Sequence, residues 1–475
     1  MKIDLQNLTI KKAHEAMKAG EYTAQDLAQA YLDNIDESLN AFLVVFDDVL
    51  EQAKKADEKF KDGTAELLTG IPMAIKNNIL IEGKKTTAGS KILENYRATY
   101  DATVIKKLKR AGVVFIGGTN LDEFAMGSST ENSAFGVVKN PYDITRVPGG
   151  SSGGSAVAVA ANMALVALGT DTGGSIRQPA GFTGLYGLKT TYGRVSRYGA
   201  IAMGSSLDQI GPFAKNIDDL KIVYDCIKGE DKNDSTSLSK RIIEKEEIKI
   251  DLAKIKTIGV PMSFLEGVDE DVKKNFEKSV EKLKTLGYEI KNIDLPNVNH
   301  ILAVYYIVMF AEVSTNLARF DGVRYGLHVE GENLLENYKK TKGQGFGKEV
   351  RRRIMLGTYI LSAGYKDAYY KKAQALRELI KRDFKKAFEG VGAIITPTSP
   401  TPAFKIGEKA SDPLQMYLAD VFTVPANVVG IPAISVPEGE VERDGKKLPT
   451  GLLVSAPYLH ENVLFKISED LQNIS

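Results

Sequence analysis

The chain has 475 residues, of which 43% are hydrophobic and 26% are charged, as in a typical soluble globular protein. Its 62 basic and 61 acidic residues nearly cancel, so the composition does not indicate a broad electrostatic attraction to nucleic acid. Because Cys226 is the only cysteine, an internal disulfide and a multi-cysteine zinc site are excluded.

The N-terminal sequence shows no apolar run of the kind found in a secretory signal peptide. An apolar run at residues 156–168 is interrupted by Asn162 and is shorter than the roughly 20 residues that cross a bilayer. We therefore expect a cytoplasmic protein without membrane association.

Residues 1–65 are predicted to be helical. Thr23 and Asp26 have the spacing of a capping box, in which two side chains satisfy backbone N–H groups of the first turn. A second, charged helix is predicted from about residue 50 to 61. We interpret residues 1–65 as an N-terminal helical segment packed on a core domain that spans residues 66–475.

Beyond residue 66, helical patterns alternate with short apolar runs that predict strands. The predicted strands lie at residues 70–76, 113–116, 187–190, 193–196, 256–261, 288–293, 391–395, 434–437 and 452–455. This alternation predicts an α/β fold: a single large domain with a central mixed β-sheet covered by helices on both faces. Helices dominate residues 300–389, and a charged, serine-rich stretch near 229–256 is predicted to be an exposed excursion.

The most distinctive stretch of the chain lies between Pro148 and Pro179. Two glycine–serine clusters, residues 149–154 and 173–175, flank an apolar run of small residues. The apolar run predicts a buried helix, or a helix followed by a strand, that would bring both clusters to one end of a rigid element. Since glycine lets the backbone approach a ligand closely, serine hydroxyls and backbone N–H groups would converge there. Those groups are the components of an acyl-transfer site.

Other interpretations of this stretch are weaker. A flexible linker would not enclose a dense apolar run. The G-x-S-x-G pattern at residues 149–153 follows a loop, whereas a nucleophile elbow follows a strand, and no Lys-Ser or Lys-Thr pair completes a phosphate-binding loop. His460 could complete a Ser…Asp…His triad in chain order, but the elbow context is missing. A serine nucleophile without histidine needs another base, usually lysine, and Lys76 ends a predicted apolar strand.

Three motifs carry a resemblance to a known family. They are G-I-P-x-x-I-K-N-N, P-G-G-S-S-G-G-S and D-T-G-G-S-I-R-Q-P-A, and they contain Lys76, Ser151 and Ser175. From about Gly70 onward the sequence resembles the amidase signature family. The resemblance implies that Ser175 is the nucleophile, that Ser151 is a bridging serine after a cis peptide bond, and that Lys76 is the base. It also implies an oxyanion hole made by the backbone N–H groups of Thr172, Gly173, Gly174 and Ser175.

Within that family, the sequence is similar to the glutamine-hydrolysing subunits of tRNA-dependent amidotransferases. Residues 117–128, 345–358 and 420–427 carry this similarity. It implies that Arg353 binds the α-carboxylate of glutamine, that Asp420 binds the α-amine and that Tyr306 makes a further contact. An arginine suits the first role because its planar fork can bind both carboxylate oxygens.

The implied reaction is hydrolysis of the glutamine side-chain amide through a glutamyl ester on Ser175. Its ammonia would convert Glu-tRNA(Gln), or Asp-tRNA(Asn), on a partner B subunit that uses ATP and magnesium, in a heterotrimer completed by a C subunit. The resemblance implies no cofactor or metal on this chain, and the tRNA would be held mainly by the B subunit. Two alternatives remain: a stand-alone amidase acting on another small amide, and a scaffold subunit without catalysis.

Overall fold

The computed structural model describes residues 3–246, 255–409 and 412–474. Within these residues, an eleven-stranded mixed β-sheet is flanked by helices, as the sequence predicts. The strands are β1 Phe42–Val45, β2 Pro72–Lys76, β3 Val114–Thr119, β4 Val166–Asp171, β5 Tyr186–Lys189, β6 Gln209–Ala214, β7 Thr257–Val260, β8 Glu289–Asn292, β9 Ala393–Pro397, β10 Ala433–Arg443 and β11 Lys446–Ser455.

Most of the α-helices lie between these strands, with the longer ones in the C-terminal half of the chain. They are α1 Ile10–Ala19, α2 Ala24–Asp33, α3 Val49–Lys61, α4 Thr103–Arg110, α5 Gly153–Ala160, α6 Arg177–Phe182, α7 Ile217–Ile227, α8 Lys240–Glu246, α9 Glu270–Thr285, α10 Ile301–Asn316, α11 Leu334–Gly345, α12 Lys348–Leu361, α13 Lys372–Ala387, α14 Pro413–Leu418, α15 Val424–Val429 and α16 Glu461–Gln472.

The order of the strands explains where a functional site can form. The sheet runs β1-β3-β2-β4-β6-β5-β10-β11-β9-β7-β8, and β3, β2 and β4 are parallel neighbours. Because parallel neighbours end at the same edge of a sheet, the carboxyl ends of β2 and β4 lie side by side. Lys76 ends β2 and Asp171 ends β4, so the lysine and the second glycine–serine cluster meet at that edge.

The glycine–serine stretch folds into the predicted helix followed by a strand. The first cluster leads into α5, whose small side chains are almost all buried, and the chain returns as β4 through the middle of the sheet. In α5, glycine and alanine leave the helix surface nearly flat, so the helix can pack closely on the sheet. The two clusters therefore lie at the ends of one rigid α5–β4 unit.

The N-terminal segment is not purely helical, which corrects the prediction for residues 42–45. Helices α1 to α3 form, and the capping box of Thr23 and Asp26 is present. Strand β1, however, pairs antiparallel with β3 at the edge of the sheet. Strand β1 has only four residues, Phe-Leu-Val-Val, and all four are apolar. It therefore lacks the alternation of apolar and polar residues that would mark a strand between two helices. The domain boundary at residue 65 stays a prediction.

The charged stretch near residues 229–256 is only partly exposed. The carboxylate of Asp231 accepts hydrogen bonds from the hydroxyls of Ser196, at 2.6 Å, and of Thr103. These bonds hold the first part of the stretch against the core, whereas the side chains of α8 are mostly exposed. Charged residues thus bind core hydroxyls there, a pairing that composition does not reveal. Residues 247–254 of this prediction lie outside the described residues.

The strands of the C-terminal half lie where they were predicted, but two of them are longer than predicted. Strands β7 and β8 are parallel and joined by α9, as expected for a β-α-β unit. Strands β10 and β11 form a long antiparallel hairpin, which extends well beyond the predicted residues 434–437 and 452–455. Its outer arms were missed because charged residues such as Glu442 and Lys447 alternate there with Val441 and Leu448.

Within the described residues, one helical stretch, Val298–Arg319, has the length and apolar composition of a membrane-crossing helix, a feature that the sequence analysis missed. Of the most apolar 18-residue part of this stretch, 61% is buried inside the fold. The stretch contains α10, which packs against α12 and α13. A buried core helix meets the same two criteria of length and composition.

Candidate active site

Lys76 is the centre of the site, and it is completely buried at the end of β2. Its Nζ lies 2.8 Å from each of the side-chain oxygens of Ser151, Ser152 and Thr170, which is hydrogen-bonding distance. Ser151 and Ser152 belong to the first glycine–serine cluster and directly precede α5, and Thr170 lies near the end of β4. The neighbouring ends of β2 and β4 therefore bring the lysine to the serines.

The buried position of Lys76 changes its acidity. Burial lowers the pKa of its ammonium group to about 7, although the carboxylates of Asp122, Asp171 and Asp208 act in the opposite direction. Burial has this effect because a charged amine loses hydration that the protein does not fully replace. A large fraction of Lys76 is therefore a neutral amine near neutral pH, which is the form that can accept a proton.

Ser151 follows a cis peptide bond to Gly150, as predicted. The Gly150 N–H donates to the side-chain oxygen of Gln178 at 2.9 Å, and the Asp122 N–H donates to the Ser151 carbonyl at 3.3 Å. A Cβ on Gly150 would collide with the Asp122 carboxylate, so this close approach requires glycine. These contacts fix the backbone on both sides of the Ser151 hydroxyl.

Ser175 lies beside the first cluster, in the loop that follows β4. Its carbonyl accepts a 3.2 Å hydrogen bond from the Ser152 N–H, which joins the two glycine–serine clusters. Ser175 is 7% exposed, and among the described residues its hydroxyl has no hydrogen-bonding side chain. The structure therefore shows the Lys76–Ser151 contact of the expected relay but no Ser151–Ser175 hydrogen bond. A serine hydroxyl moves by rotation about one bond, and such contacts often tighten only when substrate binds.

The loop that leads to Ser175 is held by Asp171. This carboxylate accepts hydrogen bonds from the Gly174 N–H at 2.9 Å and the Ile176 N–H at 3.1 Å, and it pairs with Arg177 at 2.9 Å. Of the four N–H groups predicted to line an oxyanion hole, the one of Gly174 thus points to Asp171. Within the described chain, the backbone N–H groups of Thr172, Gly173 and Ser175 have no protein acceptor.

The glycines of this loop are packed too closely for any side chain. The Thr423 hydroxyl donates to the Gly173 carbonyl at 2.7 Å, and a Cβ on Gly174, whose φ is +141°, would collide with Thr423. A Cβ on Gly173 would lie 2.6 Å from the hydroxyl of Tyr305. Packing on both sides therefore fixes the loop that carries Ser175.

The three residues expected to bind substrate come from different elements of the C-terminal half. Arg353 on α12 is buried, and its Nε donates to Glu349 at 2.8 Å. Its guanidinium lies 5.9 Å from the ring centre of Tyr417, on which the ring of Tyr306 stacks at 3.9 Å. Tyr417 on α14 thus joins α10 and α12, and Asp420 follows it in the chain. The structure brings the predicted residues into one cluster.

Asp420 is buried and accepts a hydrogen bond from the Ser128 hydroxyl. Burial raises the pKa of its carboxyl to about 7, while the Ser128 hydrogen bond and the positive charge of Arg353 act in the opposite direction. The carbonyl of Asp420 also accepts from the hydroxyl of Thr423, which contacts the loop before Ser175. The substrate cluster is therefore linked directly to the predicted nucleophile loop.

The residues that orient Lys76 were not among those predicted from the sequence. The Ser152 hydroxyl donates to the carbonyl of Thr170 at 3.1 Å, so its oxygen faces the lysine as an acceptor. The Thr170 hydroxyl oxygen accepts from Asn78 at 3.1 Å as well as from Lys76. With Ser152 and Thr170 as acceptors for two N–H groups of a neutral Lys76, its lone pair is directed to Ser151. Ser152 could have been suspected from its position next to Ser151, whereas Thr170 carried no signal.

His460, the histidine considered for a serine–histidine triad, lies at the start of α16. Its Nδ1 is 2.7 Å from the carbonyl oxygen of Tyr458. The group that touches Ser151 is the amine of Lys76. The geometry therefore favours a lysine as the base and offers the chemistry of acyl transfer through a serine.

Comparison with known proteins agrees with this chemistry. The family model described as Amidase matches residues 26–465. The chain is 52% identical to the A subunit of glutamyl-tRNA(Gln) amidotransferase from Thermoanaerobacter pseudethanolicus, with 98% of this chain and 96% of that protein covered. It is 48% identical to the corresponding A subunit from Syntrophus aciditrophicus, with 98% and 97% covered.

Solved structures give the same result. The crystal structure of the glutamyl-tRNA(Gln) amidotransferase A subunit from Thermotoga maritima matches with a TM-score of 0.79 and 41% identity, over 99% of this chain and 95% of that one. The native peptide amidase from Stenotrophomonas maltophilia matches with a TM-score of 0.80 and 28% identity, over 99% and 97%. The chain therefore belongs to the amidase family, as a homologue of the glutamyl-tRNA(Gln) amidotransferase A subunits.

Proposed function

We propose that this chain is the glutamine-hydrolysing subunit of a tRNA-dependent amidotransferase, with Ser175, Ser151 and Lys76 as its catalytic residues. The observation that carries the proposal is the buried amine of Lys76, 2.8 Å from the Ser151 hydroxyl at the cis peptide bond. The homology to amidotransferase A subunits over nearly the whole chain supports the choice of substrate.

The charges of the substrate cluster suit free glutamine. Glutamine is a zwitterion, so its site needs a cation for the α-carboxylate and an anion for the α-amine. Arg353 supplies the cation. Asp420 supplies the anion once its carboxyl, whose pKa burial raises to about 7, is ionised, and the positive α-amine of a bound glutamine favours that ionised form. The stacked rings of Tyr306 and Tyr417 form an apolar wall beside the guanidinium. Burial strengthens both ionic contacts because water does not compete for the groups. A substrate held in this way extends its side-chain amide toward Ser175.

In the proposed reaction, the Ser175 oxygen attacks the side-chain carbonyl carbon of glutamine. Its proton passes to Ser151, while Ser151 gives its own proton to neutral Lys76. The resulting oxyanion accepts hydrogen bonds from those N–H groups of the loop that Asp171 does not engage, which are the backbone N–H groups of Thr172, Gly173 and Ser175. Lys76 then returns the proton through Ser151 to the leaving nitrogen. Ammonia departs, a glutamyl ester remains on Ser175, and water hydrolyses it by the same route.

The ammonia is then used by the other subunits of the enzyme. We propose that a B subunit, with ATP and magnesium, activates Glu-tRNA(Gln), or alternatively Asp-tRNA(Asn), and that a C subunit completes a cytoplasmic heterotrimer. The near-neutral charge of this chain supports a tRNA held mainly by the B subunit. Under this proposal the chain itself carries no cofactor or metal.

The test is glutamine hydrolysis by the heterotrimer and by the chain alone, with ammonia release as the measurement. We expect hydrolysis in the heterotrimer, loss of hydrolysis in Ser175→Ala, and transfer of the amide to misacylated tRNA. Strong activity of the chain alone on amides without a zwitterionic group would instead indicate the stand-alone amidase. A wild-type complex without any glutamine hydrolysis would indicate the scaffold subunit.

A further inference from the structure

Helix α12 and the corner that follows it present an unusual surface. No residue from Ile354 to Tyr365 is charged, a run of twelve positions in a chain with 26% charged residues. Several large side chains of this corner are nevertheless exposed, by 66% in Met355, 47% in Tyr359 and 42% in Tyr365. A soluble protein rarely exposes such a contiguous apolar surface without a partner.

Aromatic contacts make this corner a defined surface. The ring centres of Tyr359 and Tyr365 are 4.3 Å apart, and Tyr369 stacks on Tyr365 at 6.1 Å with 18° between the ring planes. We call Met355, Leu356, Tyr359, Tyr365 and Tyr369 the tyrosine corner surface. Tyrosine and methionine are enriched, and charged residues depleted, at the centres of protein–protein interfaces.

The helix beneath this surface is fixed in place. Gly357 packs so tightly on the carbonyl of Phe310 in α10 that a Cβ at this position would collide with it. Val350 and Ile360 are also buried on this side of α12. The exposed face therefore needs little ordering when a partner binds, and a preorganised face lowers the entropic cost of association.

The surface is continuous with the substrate cluster. Leu356 lies one helical turn after Arg353 on α12. Arg353 contacts Tyr417 on α14, and the neighbours of Tyr417 along that helix, Leu414 and Leu418, are 70% and 53% exposed. Exposed apolar side chains thus occupy both helices that hold the guanidinium. A partner seated there would cover the wall of the substrate site.

We infer that the tyrosine corner surface is the docking site of the partner subunit that uses the ammonia. This inference rests on the proposed function, in which ammonia must pass from Ser175 to another chain without escaping into water. Docking beside the substrate cluster places the ammonia-consuming subunit next to the site of release. The homology to A subunits of a multi-subunit amidotransferase favours such a partner over other occupants.

The test uses the heterotrimer with the double variant Met355→Glu/Tyr359→Glu in this chain. We expect the affinity for the partner subunits to fall at least about 100-fold, because charges would be placed at the centre of an apolar contact. Glutamine-dependent amide transfer to tRNA would be lost, whereas transfer driven by added ammonium chloride would persist. Glutamine hydrolysis by the isolated variant would equal that of the isolated wild-type chain.

The matched control is Leu334→Glu/Leu335→Glu on α11, where the two leucines are 62% and 60% exposed. We expect this variant to assemble as the wild type does. Assembly of the Met355→Glu/Tyr359→Glu variant with wild-type affinity would overturn the inference, and so would equal damage in the control. Conversion of an isolated dimer to a monomer by the first variant would also overturn it, by assigning the surface to a second copy. A wild-type complex that assembles but hydrolyses no glutamine would overturn the proposed function as well.

Discussion

The Nζ of Lys76 lies 2.8 Å from the Oγ of Ser151, and neither residue is accessible to solvent. A buried amine next to a hydroxyl can accept its proton only when the amine is neutral. The protonation of one lysine should therefore control the rate of the proposed reaction.

We predict that kcat/KM for glutamine rises with pH and levels off above the pKa of Lys76. Burial lowers this pKa to about 7, and the neutral amine is the form that predominates at higher pH. Initial rates measured between about pH 5.5 and 9 should rise through neutrality, where the carboxyl of Asp420 also ionises and acts in the same direction. A rate that falls as pH rises through neutrality would contradict a lysine base.

The variant Asp208→Asn should move this profile to lower pH. The buried Asp208 carboxylate raises the pKa of Lys76, so its removal lets the amine lose its proton more readily. The control is Asp218→Asn, whose exposed side chain is screened by water and should leave the midpoint unchanged. An unchanged midpoint in Asp208→Asn would mean that the charge of Asp208 does not affect the pKa of Lys76.

Ser152 and Thr170 are predicted to act as positioning residues for Lys76. In Ser152→Ala or Thr170→Val, the amine loses one acceptor, a change of about 1 kcal/mol that corresponds to a roughly fivefold fall in kcat. The KM for glutamine should stay constant, and the midpoint of the pH profile should shift. Ser155→Ala is the control, because this buried serine donates to the Leu168 carbonyl at 2.9 Å. A KM effect without a kcat effect would assign Ser152 and Thr170 to substrate binding.

Replacement of Arg353 by lysine should raise the KM for glutamine by about 10- to 100-fold, because hydrogen bonds to a charged group are lost. The neighbouring substitution Arg352→Lys is the matched control. The Arg353 side chain is 5% exposed whereas that of Arg352 is 33% exposed, although both pair with Glu349. Steady-state kinetics of the two variants compare the sites directly. An equal rise in KM in the two variants would show that burial does not distinguish Arg353 from Arg352 as the residue that binds glutamine.

The buried pair of Asp171 and Arg177 should dominate the stability of the nucleophile loop. Arg177→Met leaves the carboxylate without its cation, and we expect the free energy of unfolding to fall by about 3–5 kcal/mol. Urea denaturation measures this change. The exposed pair of Lys284 and Glu281 is the control, since Lys284→Met should cost about 0–1 kcal/mol.

The same pair predicts a pH dependence of stability. Burial alone would raise the pKa of Asp171, but Arg177 and Asn427 hold it at about 2, below the roughly 3.9 of an unfolded aspartate. The stabilisation is therefore present above about pH 4 and is lost as the pH falls through 2. Acid unfolding of the wild type should be steeper in this range than that of Arg177→Met.

Local chemistry made parts of the site predictable from the sequence. Lys76 ends an apolar strand, and Ser151 and Ser175 lie in glycine-rich clusters, so a pattern of residue types marks all three. Thr170 is different, because a threonine within a buried strand has the same sequence pattern whether or not its hydroxyl meets a lysine. Its role follows from the pairing of β2 with β4, which only the fold reveals.

Long-range pairing also explains what was missed in the fold. The alternating charged and apolar residues of the outer β10–β11 hairpin resemble a loop until the two arms are aligned. The long apolar helix at Val298–Arg319 was not predicted. The sequence indicated helices in residues 300–389 but did not show which of them is buried. Strand β1 pairs with β3, which lies about 70 residues further along the chain, so its short sequence alone does not mark it.

The contact between β1 and β3 limits how this protein can be shortened. A chain that begins at residue 66 would leave the outer N–H and C=O groups of β3 without partners. Gly117 and Gly118 are among the residues of β3 that pair with β1. Because glycine has no side chain, they would not shield the edge that the loss of β1 exposes. Bare edges of this kind join edge to edge between molecules. The first 65 residues thus serve as a built-in guard against aggregation, and a truncated fragment would precipitate even though Lys76, Ser151 and Ser175 were all present.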